Sequence, residues 1–482
     1  MEPKSLKKNA FYSVLKVFLS LVFPLITFPY ASRILLPEGI GKINFANSIV
    51  SYFILMASLG IGSYATREAA KVREDKNAVT KLFKEIITIN FICCLIAYIL
   101  FFISLFAIPK FSEYRTLLLV CCIKILFSVI GFDWIFAAFE EFKYITIRSF
   151  FVQLLSLVYL FVFVHTKDDI VHYAVFGILT TVGSNILNFF FIGKYIDVKY
   201  HPKLEFKKHL KAIMIFFGMT VVTSVYTMLD TTMLGFLSND IQVGFYTAST
   251  KLSHMILSML TAITGVLLPR LTSYAQNNDS ENFQELVNKS SNIIILLSIP
   301  MTTGLILLAK PLIILLTGES YIDAIPAMIT ISPIVIVITF GSLIGVQILP
   351  AINKEKKVFH SYIAGAVTNI SLNAVFIPKL GALGAAIGTV AAESIVCLIQ
   401  IFFARKFILN KLFFITLLES FIASILMGIG IFAILKLIPN LYIQLLLSVI
   451  TGVIIYSIIL FIFKNKYFIY YTEKLLKRRS QH

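Results

Sequence analysis

The sequence predicts an all-α integral membrane protein of about fourteen transmembrane helices, and three observations carry that reading. Of its 482 residues, 58% are hydrophobic and only 14% are charged, whereas a soluble domain carries about 25% charged residues. Charge-free runs are long: 24 residues separate Glu85 from Lys110, and 27 separate Lys436 from Lys464. About 20 apolar residues span a bilayer as a helix. The runs are also apolar on every face, which excludes a barrel, whose strands alternate apolar and polar residues over about ten positions. This composition rules out a cytosolic enzyme, a disordered chain and a DNA-binding domain.

Reading the apolar runs between charged or Pro/Gly-rich breaks places spans near 11–32, 43–64, 86–108, 116–138, 146–165, 171–193, 212–236, 243–267, 290–309, 325–349, 358–377, 382–404, 412–437 and 441–463. The first is not a cleaved signal peptide: it is long, holds Pro24 and Pro29, and lacks a small-residue cleavage site. Orientation follows from Lys and Arg in the loops. The N-terminus, 65–85, 139–145 with Arg148, 194–211, 268–289, 350–357, 405–411 and the tail together hold 31 of them, and the opposite side holds 8. Both termini are therefore expected in the cytoplasm, in a multi-pass protein of the cytoplasmic membrane. The net charge of +17 is then topological, with attraction to anionic headgroups as a by-product, and no nucleic acid is expected as a partner. The tail Lys474 to Arg479 reads as a topology anchor.

All five cysteines, Cys93, Cys94, Cys121, Cys122 and Cys397, fall inside spans with no His or carboxylate at ligand spacing, so they read as small core hydrophobes and not as a metal site. His201 and His209, in a basic loop, read as solvated surface. The outer loops are short, there is no Gly-rich phosphate loop, and no catalytic triad or HExxH is present. A chain that is nearly all membrane and lacks catalytic chemistry is expected to be a transporter and not an enzyme.

An internal repeat supports this. Ile40-Gly41-Lys42-Ile43-Asn44-Phe45-Ala46 enters span 2, and Val243-Gly244-Phe245-Tyr246-Thr247-Ala248 enters span 8 about 203 residues later. Six spans separate the copies, so they run parallel, related by an axis along the membrane normal, with substrate expected between the halves.

Several segments resemble a known family. Phe28-Pro29-Tyr30-Ala31-Ser32-Arg33-Ile34-Leu35-Leu36-Pro37-Glu38-Gly39-Ile40-Gly41 looks like the first-hairpin signature of bacterial polysaccharide repeat-unit flippases of the Wzx type. These belong to the multidrug/oligosaccharidyl-lipid/polysaccharide exporter superfamily. Phe132-Asp133-Trp134-Ile135-Phe136 through Lys143 resembles the fourth-span exit. Asp230 with Val243-Gly244-Phe245-Tyr246 and Lys251-Leu252 resembles the seventh-to-eighth hairpin, and Gly381 to Ala386 followed by Glu393 the twelfth span. One departure is Ala137-Ala138, where relatives often carry Gly. The resemblance implies an N-terminal lobe over 1–205, a C-terminal lobe over 206–407, each of six helices, and spans 13 and 14 with a basic tail over 408–482. It also implies outward movement of an undecaprenyl-pyrophosphate-linked oligosaccharide, with membrane lipids and a polysaccharide polymerase with chain-length machinery as partners. The alternatives are an ion-coupled multidrug exporter, a lipid II flippase of the same superfamily, and a membrane polysaccharide polymerase or ligase. The short outer loops disfavour the last.

Charges within spans cost about 2.5–3.5 kcal/mol on insertion scales and so point inward or snorkel. Lys16, near the cytoplasmic end of span 1, is placed to snorkel. Arg33, Lys124 and Lys251 would make the outer half of a central cavity cationic, suited to a pyrophosphate. Asp230 lies level with Lys251, as a lobe-stabilising pair or a coupling group. Glu393, near the middle of span 12, is either a carrier for a proton or sodium gradient or a neutral acid bridging helices. No cofactor is expected. The groove for the lipid tail cannot be placed from sequence.

Overall fold

The computed structural model describes residues 6–265 and 267–479 and is helical throughout, with no strand among the described residues. Contacts divide it into two units, 1–244 and 245–482. The first contains α1 (Leu6–Ser58), α2 (Ile61–Val72), α3 (Lys76–Ala107), α4 (Arg115–Cys121), α5 (Ile123–Ile130), α6 (Asp133–Ala138), α7 (Phe142–Phe163), α8 (Ile170–Phe191) and α9 (Lys207–Leu237). α10 (Asp240–Thr264) leads into the second unit. There follow α11 (Leu268–Gln276), α12 (Ser280–Leu307), α13 (Ala309–Thr317), α14 (Ile325–Ile331), α15 (Ile334–Ser342), α16 (Leu349–Ala351), α17 (Glu355–Leu380), α18 (Ala382–Ile408), α19 (Lys411–Leu437), α20 (Leu441–Ile462) and α21 (Lys466–Arg479).

Among the described residues, 11 helical stretches are long and apolar enough to cross a membrane, and the chain is a multi-pass membrane protein. The first stretch covers two expected spans. Leu36, at φ 60 and ψ 175, breaks α1 between them, because the ring of Pro37 disfavours helical geometry in the preceding residue. α9 and α10 occupy the seventh and eighth expected positions. Helix starts follow side-chain chemistry: Asp75, Asp279, Asn410 and Asn440 each accept backbone N–H groups that the first turn leaves without partners.

Polarity is arranged for lipid. Leu155, Phe190 and Leu437 are at least 70% exposed, while Asn188, Asn373 and Gln400 are almost fully buried. Polar groups in a bilayer must find partners between helices, and the apolar ones can face outward at no cost.

The sequence repeat has a structural counterpart inside the first unit. A Cβ on Gly41 would stand 1.8 Å from the Asp240 carbonyl oxygen, and one on Gly244 would stand 2.1 Å from that of Pro37. The offset of 203 residues that relates Gly41 to Gly244 also relates Pro37 to Asp240. The two turns therefore cross reciprocally, each glycine admitting the other copy's backbone. α9, expected to open the second lobe, packs here against α1 and α2.

Candidate functional site

Beyond the Leu36 kink, α1 carries Asn47, Ser48, Ser51 and Tyr52, positions that share one helical face. Lys124 on α5 reaches this face: its Nζ donates to Asn47 Oδ1 at 2.8 Å, with Gly177 of α8 beside the ammonium. From α9, Thr232 Oγ1 bonds Ser48 Oγ at 3.1 Å and Tyr52 Oη at 3.2 Å. Asp230, two residues earlier, is 5% exposed. Arg33 lies just before the kink and is exposed, as is Lys16. The first unit thus holds Arg33, Lys124 and Asp230, and gives Lys124 a neutral amide partner.

Lys251 and Glu393 belong to the second unit, and both are half-buried. Tyr246 of α10 and Thr389 of α18 are bonded through their hydroxyls at 3.0 Å. Lys251 follows Tyr246 by five residues on α10, and Glu393 follows Thr389 by four on α18.

The second unit also contains an apolar groove of about 690 Å³ along α12, α19, α20 and α21. Leu296, Pro300, Gly304, Met427, Gly452 and Tyr467 are among its walls. Pro300 has no N–H, so the Leu296 carbonyl four residues back loses its helical partner. Tyr456 Oη supplies the replacement at 2.9 Å and is bonded in turn to Ser420 Oγ at 2.6 Å. Together, Pro300 and Tyr456 open the groove without leaving a bare carbonyl in hydrocarbon.

Two buried polar clusters in the first unit escape sequence reasoning. His209 is not solvated surface but 4% exposed. Its Nε2 donates to Glu85 Oε2 at 2.8 Å, and its Nδ1 meets Tyr64 Oη at 2.6 Å. Glu85, fully buried, also accepts from the Glu205 backbone at 2.8 Å and pairs with Lys208 at 3.1 Å. His201 is exposed, as expected. Arg148, counted above with the loop charges, is 4% exposed. It pairs with Asp133 at 3.0 Å and bonds Asn188, whose amide donates to the same Asp133 oxygen at 2.6 Å. Nearby, in the loop after α8, the buried Tyr195 hydroxyl donates to Glu141 at 2.7 Å. Burial and that carboxylate push its phenol above the ordinary tyrosine range. A carboxylate and a basic group flanking a long apolar run are the only sequence signal for these clusters, and it does not name partners.

The model of the polysaccharide biosynthesis protein family matches residues 6–276. The chain belongs to that family. Among curated relatives, this member of the polysaccharide biosynthesis protein family is 25% identical over 413 residues to a putative O-antigen transporter of Escherichia coli strain K12, covering 85% of this chain and 98% of that one. It is 20% identical over 262 residues to a probable low-salt glycan biosynthesis flippase of Haloferax volcanii, covering 53% of this chain and 55% of the relative. In fold it resembles a lipid II flippase in an inward closed conformation, with a TM-score of 0.77 at 18% identity over 95% of this chain and 99% of that one. It is also similar in fold to a multidrug resistance MATE family transporter of the MOP superfamily in an inward-facing conformation, with a TM-score of 0.60 at 16% identity over 82% of this chain and 97% of that one. The all-α, multi-pass architecture expected from the sequence is the one observed.

Proposed function

We propose that this protein is a flippase that carries lipid-linked oligosaccharide repeat units from the cytoplasmic to the outer leaflet for polysaccharide biosynthesis. The observation that carries the reading is the apolar groove beside α12 in a chain that also keeps cations within its spans. A lipid-linked sugar needs both an apolar wall for its tail and cations for its phosphates. Relatives named as an O-antigen transporter and as a glycan flippase support it.

In this reading both termini are cytoplasmic, and the fourteen spans form two six-helix lobes, 1–205 and 206–407, plus the pair in 408–482. The lipid is undecaprenyl pyrophosphate, its tail lies in the groove, and Arg33, Lys124 and Lys251 meet the pyrophosphate. Arg33 contributes a planar fork of donors that a lysine lacks. Lys124, held by a neutral amide, keeps its charge available. With no nucleotide-binding motif, work comes from a proton or sodium gradient or from downstream consumption of the flipped lipid by a polymerase. Glu393 is the coupling candidate, because its ionised form is expensive at midplane. Asp230 is the second.

The test is polymer at the cell surface. Arg33→Ala or Lys251→Ala should abolish it at normal protein abundance, and Arg33→Lys should restore only part. Normal export by both Ala variants would refute the cationic path.

A further inference from the structure

A cavity of about 380 Å³ opens on the first unit where the start of α7 meets α8. Glu141, just before α7, and Lys143, Tyr144, Ile147, Arg148 and Phe151 on it form one wall, and Leu187 of α8 forms the other. None of these residues belongs to the cationic path or to the apolar groove. The wall grades from charged to apolar along the helix. Glu141 and Lys143 stand at its start, while Ile147, Phe151 and then Leu155 make an exposed apolar stripe at a spacing of four residues. α7 has 22 residues, about 33 Å at 1.5 Å per residue, which matches the roughly 30 Å of bilayer hydrocarbon. Its first turn therefore stands at headgroup level, and the stripe faces acyl chains.

Donors outnumber acceptors in this wall. No side chain caps the first turn of α7, and bare N–H groups at a helix start favour an anion. Lys143 is exposed and has neither an ion pair nor a hydrogen bond among the described residues. Tyr144 Oη and Arg148 Nε are buried without a hydrogen-bond partner. The other guanidinium nitrogens of Arg148 are taken by Asp133 and Asn188. The Tyr144 ring lies over the guanidinium, 5.4 Å from its carbon, so one rotation of that ring uncovers both donors. Below headgroup level such groups need partners that water does not supply. One carboxylate shares the wall: Glu141 accepts from the Tyr195 hydroxyl at 2.7 Å and pairs with the exposed Lys194 at 3.5 Å. A purely anionic ligand meets Glu141 as a like charge, whereas a headgroup of both signs uses it.

We propose that this cavity holds a phosphatidylethanolamine molecule of the surrounding bilayer. Its phosphate lies on Lys143 and the first-turn N–H groups of α7, and its ammonium on Glu141, both through charge-assisted hydrogen bonds. Its ester carbonyls accept from Tyr144 and Arg148, and one acyl chain runs along Ile147 and Phe151. The order of groups fits: in the lipid the esters follow the phosphate toward the acyl chains, as Tyr144 and Arg148 follow Lys143 toward Phe151. The site goes beyond the flippase reading and does not depend on it, since it needs only the multi-pass fold.

The full chain, delipidated in detergent, is titrated with phosphatidylethanolamine, phosphatidylcholine and phosphatidylglycerol of the same acyl chains, and binding is read by native mass spectrometry. The unchanged chain should prefer phosphatidylethanolamine by about tenfold, the loss expected for one charge-assisted hydrogen bond. A choline group has no N–H for Glu141, and phosphatidylglycerol brings no cation. Lys143→Gln should weaken phosphatidylethanolamine by about tenfold, and Glu141→Gln should remove its advantage over phosphatidylcholine. Lys356→Gln, an equal loss of charge at an exposed residue of the second unit, should change nothing. Thermal unfolding checks that each variant is folded. Phosphatidylethanolamine binding that survives Lys143→Gln, or that falls as far in Lys356→Gln, overturns the site. Equal binding of the three lipids overturns it too, as contact with bulk bilayer only, and so does a preference that persists in Glu141→Gln. Phosphatidylglycerol binding more tightly than phosphatidylethanolamine overturns it in favour of a simple anion site.

Discussion

Replacing Gly41 or Gly244 by Ala probes the crossing of the two repeat turns. The added methyl would sit 1.8 Å from the Asp240 carbonyl oxygen in one case and 2.1 Å from that of Pro37 in the other. An ordinary contact begins near 3.4 Å, so one turn must retreat by more than an ångström. Both obstacles are backbone, which cannot swing aside as a long side chain does. Overpacking of this kind costs about 1–3 kcal/mol. Because the two clashes are reciprocal, one retreat relieves both, and the double variant should cost little more than the worse single one. Gly62→Ala is the control: nothing lies within 4 Å of that Cβ, and Ala in a helix interior is favoured by about 0.5–1 kcal/mol over Gly. Thermal unfolding followed with a thiol-reactive dye suits this chain, whose Cys94, Cys121, Cys122 and Cys397 are buried until it opens. The expected order is Gly62→Ala at or above the parent, both crossing variants below it, and the double variant close to the lower single one. Crossing variants as stable as the parent, or a double variant showing the full sum of the two losses, would refute the reciprocal crossing.

Two further outcomes are expected. Tyr456→Phe leaves the Leu296 carbonyl without a partner and should lower stability by about 1–3 kcal/mol, whereas the same change in a Pro300→Ala background should cost much less, since the restored N–H reaches that carbonyl; equal losses in both backgrounds would sink the account. In proteoliposomes with an imposed pH or sodium gradient, Glu393→Gln should uncouple flipping from the gradient, and a variant that responds as the parent does would reduce Glu393 to a helix-bridging acid.

The helices were legible because a bilayer demands long uninterrupted apolar runs, and the break at Leu36–Pro37 was legible because proline acts on its immediate neighbour. The repeat at Gly41 and Gly244 could be seen as a short match, although nothing in the letters says that the two turns touch. The candidate cations could be picked out by depth alone, since a lysine inside an apolar run is conspicuous wherever it points. Partners were not legible. Glu85 meets the backbone of Glu205 and the ring of His209 across more than 100 residues, and a histidine in a basic loop looks solvated until the loop is seen to fold back. Arg148 looked like a topology charge for the same reason. The side chains of Lys474 to Arg479, read as a topology anchor, lie outside the described residues.

The groove shows why α19 and α20 are integral to the second unit. Pro300 frees the Leu296 carbonyl in the middle of α12, at a depth where water cannot serve it. Its partner is Tyr456, from α20, and Tyr456 is bonded to Ser420, from α19, which also reaches the Ile295 carbonyl at 3.4 Å. α19 and α20 thus satisfy a defect that α12 introduces. The same turns of α12 supply one wall of the groove and Gly452 of α20 another. Without α19 and α20 the groove would lose those walls, and α12 would be left with a bare carbonyl in hydrocarbon.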